Sequence, residues 1–240
     1  MQNPIICAHA AGADLGPANT VQAAKKSLGT LQPRDCIEVD VQETSDGELV
    51  LTHGDITDEI RFVLGSSGTV KNISLADLKT IKPGVNTLGE MLGEINSRCG
   101  VMLDVKDPSI QVGKLREIMA PHTGEIWLTA SNDKILREAI TEAAEWPRIV
   151  QCRMATRRQI DKAIQSTKPH SIDIWPIFLS KKTANYIRYH RLGFMAGGMP
   201  EPFSRTGENP DRIRKWIEWG TNCIVTFNPE KIRRLLESGT

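Results

Sequence analysis

The run Cys36-Ile37-Glu38-Val39-Asp40-Val41 decides how this chain is read. It is rich in Ile and Val and almost continuously apolar, as strands buried on both faces of a parallel sheet are. Two carboxylates interrupt it. They stand two positions apart, so on a strand they point the same way. Carboxylates are rarely buried without partners. A buried strand with two acids on one side reads as part of a site.

Similar short runs recur on either side, at residues 5–9, 49–53, 101–106, 126–130, 149–154, 172–178, 193–196 and 223–227. Helix-like stretches lie between most of them, at 20–28, 74–80, 87–97, 109–119, 133–145, 156–166, 181–191, 209–219 and 229–238. Asn19 is a plausible N-cap for the first, and Ser74 and Thr87 open the next two. Strand alternating with helix along the whole chain predicts an α/β fold with a parallel sheet. At 240 residues a closed (β/α)₈ barrel of TIM type fits better than an open sheet. No GxGxxG turn follows the first strand, which argues against dinucleotide binding. Nine strand candidates compete for eight barrel places. The odd pair flanks Asp46-Gly47, where residues 42–47 leave no room for a helix. Residues 54–84 read as a loop excursion after the third strand, within one domain spanning residues 1–240.

The bulk numbers narrow the partners. Hydrophobic residues make up 40% and charged residues 25%, an ordinary globular composition. A formal charge of +1 gives no reason to expect nucleic acid or stable association with an anionic membrane. Five cysteines, at 7, 36, 99, 152 and 223, form no CxxC pair and lie in or beside apolar runs. Buried free thiols are expected, in a reducing compartment. With no signal-like N-terminus and no membrane-length apolar run, a soluble cytoplasmic protein is expected. Trp216 and Trp219 share a late helix and suit either the core or a homo-oligomer interface; the core is the favoured reading.

The polar residues inside the runs carry the chemistry. His9 ends the first run, Glu38 and Asp40 interrupt the second, His53 ends the third, and Asp104 and Lys106 close the fourth. Catalytic groups of barrel enzymes gather at such strand ends. Three inward carboxylates in one mouth repel unless a cation joins them. An all-oxygen set selects one hard divalent ion, Mg²⁺ or Ca²⁺, over zinc. Two histidines beside an ion-bound phosphate can take up one proton and deliver another. Lys106 and the ion would offset charge on the phosphoryl oxygens.

In the same order, the sequence resembles the glycerophosphodiester phosphodiesterase family. The family's His-Arg-Gly, Pro-Glu-Asn-Thr, Glu-x-Asp-Val, Thr-x-Asp-Gly, His-Asp and carboxylate-x-Lys motifs find counterparts here. These are His9-Ala10-Ala11, Pro17-Ala18-Asn19-Thr20, Glu38-Val39-Asp40-Val41, Thr44-Ser45-Asp46-Gly47, His53-Gly54-Asp55 and Asp104-Val105-Lys106. Thr87-Leu88-Gly89-Glu90 matches the family's Thr-Leu-x-Glu, and residues 220–229 resemble its closing motif. The resemblance implies a distorted TIM barrel with a short insertion after the third strand. It also implies that His9 and His53 are catalytic, that Glu38, Asp40 and Asp104 hold the metal, and that Lys106 binds phosphate.

The departures bear on substrate. The family's arginine is Ala10 and its motif glutamate Ala18. Its late-strand tryptophan is replaced within residues 194–198, and its last aspartate is Phe227. A different cation is expected to replace the arginine, with Arg153 the best placed and Lys181 or Arg205 as substitutes. Trp175 is expected to contact a sugar face. The expected reaction is hydrolysis of a small phosphodiester, either glycerophosphodiester-like or a sugar diester of agrocinopine type. Asp104 and the missing arginine also resemble sphingomyelinase D-type enzymes, which release a cyclic phosphate. A non-catalytic phosphate-binding barrel is the reading from another class.

Overall fold

A computed structural model describes residues 3–54, 69–130, 132–152, 154–198 and 209–238. Nine strands are present: β1 (Ile5–Ala8), β2 (Cys36–Glu43), β3 (Leu49–Leu51), β4 (Gly100–Val105), β5 (Ile126–Ala130), β6 (Arg148–Gln151), β7 (Ser171–Ile174), β8 (Gly193–Gly197) and β9 (Cys223–Thr226). Their order is β1-β9-β8-β7-β6-β5-β4-β2-β3, and an additional β1–β2 pairing closes the ring. Eight strands pair in parallel. β3 pairs antiparallel with β2, Val41 opposite Leu51, and hangs outside the ring. The ninth strand is therefore a hairpin return, turned by Gly47 at φ 84°, a conformation glycine adopts without cost.

The described helices are α1 (Val21–Leu28), α2 (Leu75–Ile81), α3 (Leu88–Ile95), α4 (Val112–Met119), α5 (Asp133–Glu142), α6 (Arg157–Thr167), α7 (Lys181–Tyr189), α8 (Pro210–Trp219) and α9 (Pro229–Ser238). Thr87 and Thr156 each close a capping box at α3 and α6. The expected N-cap of α1 is corrected. Thr20 accepts from the Ala23 amide, and Asn19 is left for another task. α4 starts at Val112 behind Gln111, later than expected, because Ser109 is held in a turn by Asp107. The excursion after β3 contains α2, and its Leu78 packs with Val50, Val70, Ile73 and Val85 in a satellite core. The rest of it, residues 55–68, lies outside the described residues.

Alternation along each strand divides the core in two. Ile37, Val39, Val41, Val101, Leu103 and Val105 face the helices in the main cluster. Cys36, Met102, Trp127, Ile149, Met195 and Cys223 fill the barrel interior. All five cysteines are free and buried. Trp216 is 2% exposed in the main cluster, with Trp219 packed against it, so the core reading holds. Trp216→Ala should cost roughly 3–5 kcal/mol, read from urea unfolding. A loss below 1 kcal/mol would contradict this packing.

Candidate active site

The interior alternation that puts Cys36 and Met102 in the barrel floor puts Glu38, Asp40 and Asp104 above them. Asp40 and Asp104 are opposite each other in register. All three acids are at most 5% exposed, and one oxygen from each lies within 4.8 Å of the others. His9, His53, Lys106 and Trp175 join them in lining a cavity of about 700 Å³ at the C-terminal ends of the strands. Six predicted residues and Trp175 are thus brought together. Arg153 and Arg205 lie outside the described residues. Lys181 opens α7 and does not line the cavity. Among the described residues, Lys106 is the only Lys or Arg that does.

Each acid has a distinct setting. Glu38 Oε2 accepts the Ala10 amide at 2.7 Å, while its Oε1 is buried without a hydrogen-bond partner. Burial, then Asp40 and Asp104, push its pKa well above the ordinary carboxylate value. Asp40 Oδ2 accepts Asn19 Nδ2 at 2.7 Å, and its amide donates to Asn19 Oδ1 at 2.9 Å. Asp40 Oδ1 is 2.8 Å from Lys106 Nζ. Burial works to raise the Asp40 pKa, but the attraction and hydrogen bond of Lys106 prevail and lower it. Asp104 Oδ2 accepts from Lys106 and, at 2.8 Å, from Gln151 Nε2, while Oδ1 is buried and unmatched. Burial raises its pKa despite Lys106. Burial works to lower the Lys106 pKa, but the three acids raise it. One ammonium thus faces three carboxylates.

His9 follows β1 directly, where Ala10 and Ala11 take positive φ of 47° and 66°. Non-glycine residues adopt such angles at a cost, and here the turn aims the Ala10 amide at Glu38. His9 Nε2 is 3.7 Å from Glu38 Oε2, and Phe227 meets the ring edge-on at 4.7 Å. Burial first, then Lys106 and His53, lower its pKa to about 4 against the pull of Asp40. His53 lies two residues beyond β3, exposed on the cavity wall. At Gly197, φ is 137°, and a β-carbon would lie 1.7 Å from the Val225 carbonyl oxygen. A β-carbon on Gly198 would come within 3.4 Å of His9 Nδ1. Only glycine fits the first position, and the second keeps the wall beside His9 open.

Several lining residues escaped the sequence reading, Asp173 and Gln151 among them. Asp173 on β7 and Gln151 on β6 are paired in register and face the cavity. Burial, then Asp104, pushes the Asp173 pKa up to about 7. The signal was the one used for Glu38, a polar residue inside an apolar strand run.

Three buried carboxylates, each with one oxygen that has no hydrogen-bond partner, suit a hard divalent ion. Glu38, Asp40 and Asp104 are the residues that fit it. In chemical terms the cavity offers an oxygen cradle, an ammonium and two imidazoles around a space large enough for a phosphodiester.

Comparison with known proteins agrees. The model of the glycerophosphoryl diester phosphodiesterase family matches residues 9–172. A glycerophosphodiester phosphodiesterase of Arabidopsis thaliana is 24% identical, over 98% of this chain and 74% of its own. One from Bacillus subtilis is 21% identical, over 84% of this chain and 76% of its own. An Oleispira antarctica phosphodiesterase, solved with its product sn-glycerol 3-phosphate, superposes with a TM-score of 0.80 at 16% identity, over 98% and 97% of the two chains. A Galdieria sulphuraria structure gives 0.80 at 17% identity, with 98% of each chain covered. No described helix is long and apolar enough to cross a membrane. The chain belongs to the glycerophosphodiester phosphodiesterase family and, with it, to the phosphoric diester hydrolases.

Proposed function

We propose that this barrel, acting as one domain, hydrolyses a small phosphodiester to a phosphomonoester and an alcohol. Glu38, Asp40 and Asp104 hold one divalent cation, Mg²⁺ or Ca²⁺, and His9 and His53 move the protons. The observation that carries this is the convergence of three buried carboxylates within 4.8 Å, with His9 and His53 lining the same cavity. When bound, such an ion offsets charge on the phosphoryl oxygens. Lys106, held by Asp40 and Asp104, adds its charge to the same end of the cavity.

His9 acts as the base, since its ring is held in the neutral form that accepts a proton. Burial keeps its ring neutral near pH 7, and Phe227 limits its mobility. It takes the proton of the attacking water as the water oxygen bonds to phosphorus. The bond from phosphorus to the alcohol oxygen then breaks, and His53 delivers a proton to that oxygen. Ala10, Ala18 and Gly198 leave room for an alcohol bulkier than glycerol, which favours a sugar diester with Trp175 against the sugar. The buried free thiols suit a reducing, cytoplasmic setting.

The test is turnover of bis(p-nitrophenyl) phosphate with Mg²⁺ or Ca²⁺, followed by phosphorus NMR on glycerophosphodiesters and sugar diesters. Expected are activity abolished by EDTA and an open monoester as first product. A cyclic product would make the enzyme a lyase. No turnover of any diester with either ion would leave a binding protein.

A further inference from the structure

One buried oxygen beside the acids takes no part in the proton transfers. Among the described residues, five buried side-chain oxygens lack a hydrogen-bond partner: Glu38 Oε1, Asp40 Oδ1, Asp104 Oδ1, Thr129 Oγ1 and Ser166 Oγ. All of these residues but Ser166 line the same cavity. Three of them are the acids. The fourth is Thr129 on β5, a residue 4% exposed.

Register puts Thr129 in line with the acids. Asp40 on β2 is opposite Asp104 on β4, and Asp104 is opposite Thr129 on β5. The three form one row across adjacent strands and all line the cavity. Ile149 on β6 continues the row with an apolar side chain, so the oxygens end at Thr129. A buried hydroxyl without a partner destabilises a fold. Threonine suits a strand by its branched shape, but valine has that shape and no hydroxyl to satisfy. Packing therefore accounts for the branch at this position and not for the oxygen.

The row indicates what the oxygen can do. A hydroxyl oxygen is neutral and carries two lone pairs. Mg²⁺ takes about six oxygen ligands and Ca²⁺ about six to eight, more than three acids supply in single contacts. A further carboxylate would add repulsion among like charges. A hydroxyl adds an oxygen without charge.

We propose that Thr129 is a further metal-binding residue, whose hydroxyl joins Glu38, Asp40 and Asp104 as the fourth protein oxygen for the divalent cation. This rests on the cation reading of the proposed function, and the test separates the two. Calorimetry titrates Mg²⁺, then Ca²⁺, into the full chain without substrate. Thr129→Val should bind the tighter of the two ions about tenfold or more weakly than the wild type. Thr129→Ala, equally without a hydroxyl, should show the same loss, and Thr129→Ser, which keeps it, should stay close to the wild type. The melting temperature of ion-free Thr129→Val should match or exceed that of the wild type, because an unpaired hydroxyl is removed at nearly constant shape. Its rise on adding the ion should shrink. Wild-type cation affinity in Thr129→Val overturns the proposal. So does a Thr129→Ser as weak as Thr129→Val, or an ion-free Thr129→Val that melts well below the wild type, since the hydroxyl would then serve the fold. Unchanged cation affinity with weakened binding of methyl phosphate would assign the hydroxyl to the phosphate and overturn it too. In each of these cases the wild type still binds its ion and the cation reading stands. A wild type that binds neither Mg²⁺ nor Ca²⁺ would end that reading, and this assignment with it.

Discussion

Asp40→Asn is expected to lower kcat/KM by roughly a thousandfold, as loss of a group that stabilises transition-state charge in a dry site does. The substitution keeps size and shape and removes charge. It acts on the best-connected acid of the three. Asn19 holds Asp40 from two directions, through Oδ2 and through the amide, and Lys106 lies 2.8 Å from Oδ1. The lowered pKa of Asp40 follows from those contacts, so it is the acid most firmly ionised before any ion arrives. Glu38 and Asp104 are pushed the other way by burial. An amide at position 40 removes the anchor while leaving the other two reluctant to ionise.

Two readouts distinguish this from a folding defect. Affinity for Mg²⁺ or Ca²⁺ should fall with the rate, while the melting temperature of the ion-free protein changes little. Relief of repulsion among the acids offsets the loss of the Lys106 contact. Asn19→Ala should cost less, about 10- to 100-fold, as an orienting partner does. Cation affinity and rate both near wild type in Asp40→Asn would remove the ion-binding basis of the proposed function.

The barrel was legible because the strands' outward faces are apolar, while β2 and β4 carry acids on their inward faces at the mouth. Ile37-Glu38-Val39-Asp40-Val41 shows both faces in five residues. The antiparallel place of β3 was not fixed by its own residues. It follows from the five-residue turn 44–48, too short to cross over to a parallel neighbour. Asn19 was taken for a cap because Asn and Thr are both good caps, and only the third dimension shows Asp40 claiming the Asn19 side chain. Asp173 was legible in principle. It was passed over because its run, at residues 172–178, was taken as one apolar strand, whereas β7 ends at Ile174 and Trp175 to Phe178 form a turn. What replaces the family's arginine is not visible among the described residues, since Arg153 and Arg205 lie outside them. At that position the Ala10 backbone amide donates to Glu38.

His9→Ala is expected to lower kcat by about 10²–10⁴, the range for a positioned acid–base group, with the smaller share in KM. The argument turns on which protonation state the pocket selects. Burial favours the neutral ring, and Lys106 and His53 reinforce it, so that the pKa moves from 6.5 to about 4. A lowered pKa means the base form persists as pH falls. Between pH 5 and 8 His9 can accept a proton from water without first losing one. In the ion-free protein its ring resonances should therefore stay constant across that window and shift only toward pH 4. An ordinary titration near 6.5 would show that the ring is solvated and not held beneath Phe227. Phe227 provides the complementary test. Phe227→Ala opens one side of the imidazole to water while leaving its Glu38 neighbour at 3.7 Å. The His9 pKa should rise toward its ordinary value, and kcat at pH 6 should fall more than kcat at pH 8, because a protonated base is idle. Equal losses at both pH values would mean that Phe227 packs against His9 without setting its protonation, and that the base was wrongly assigned.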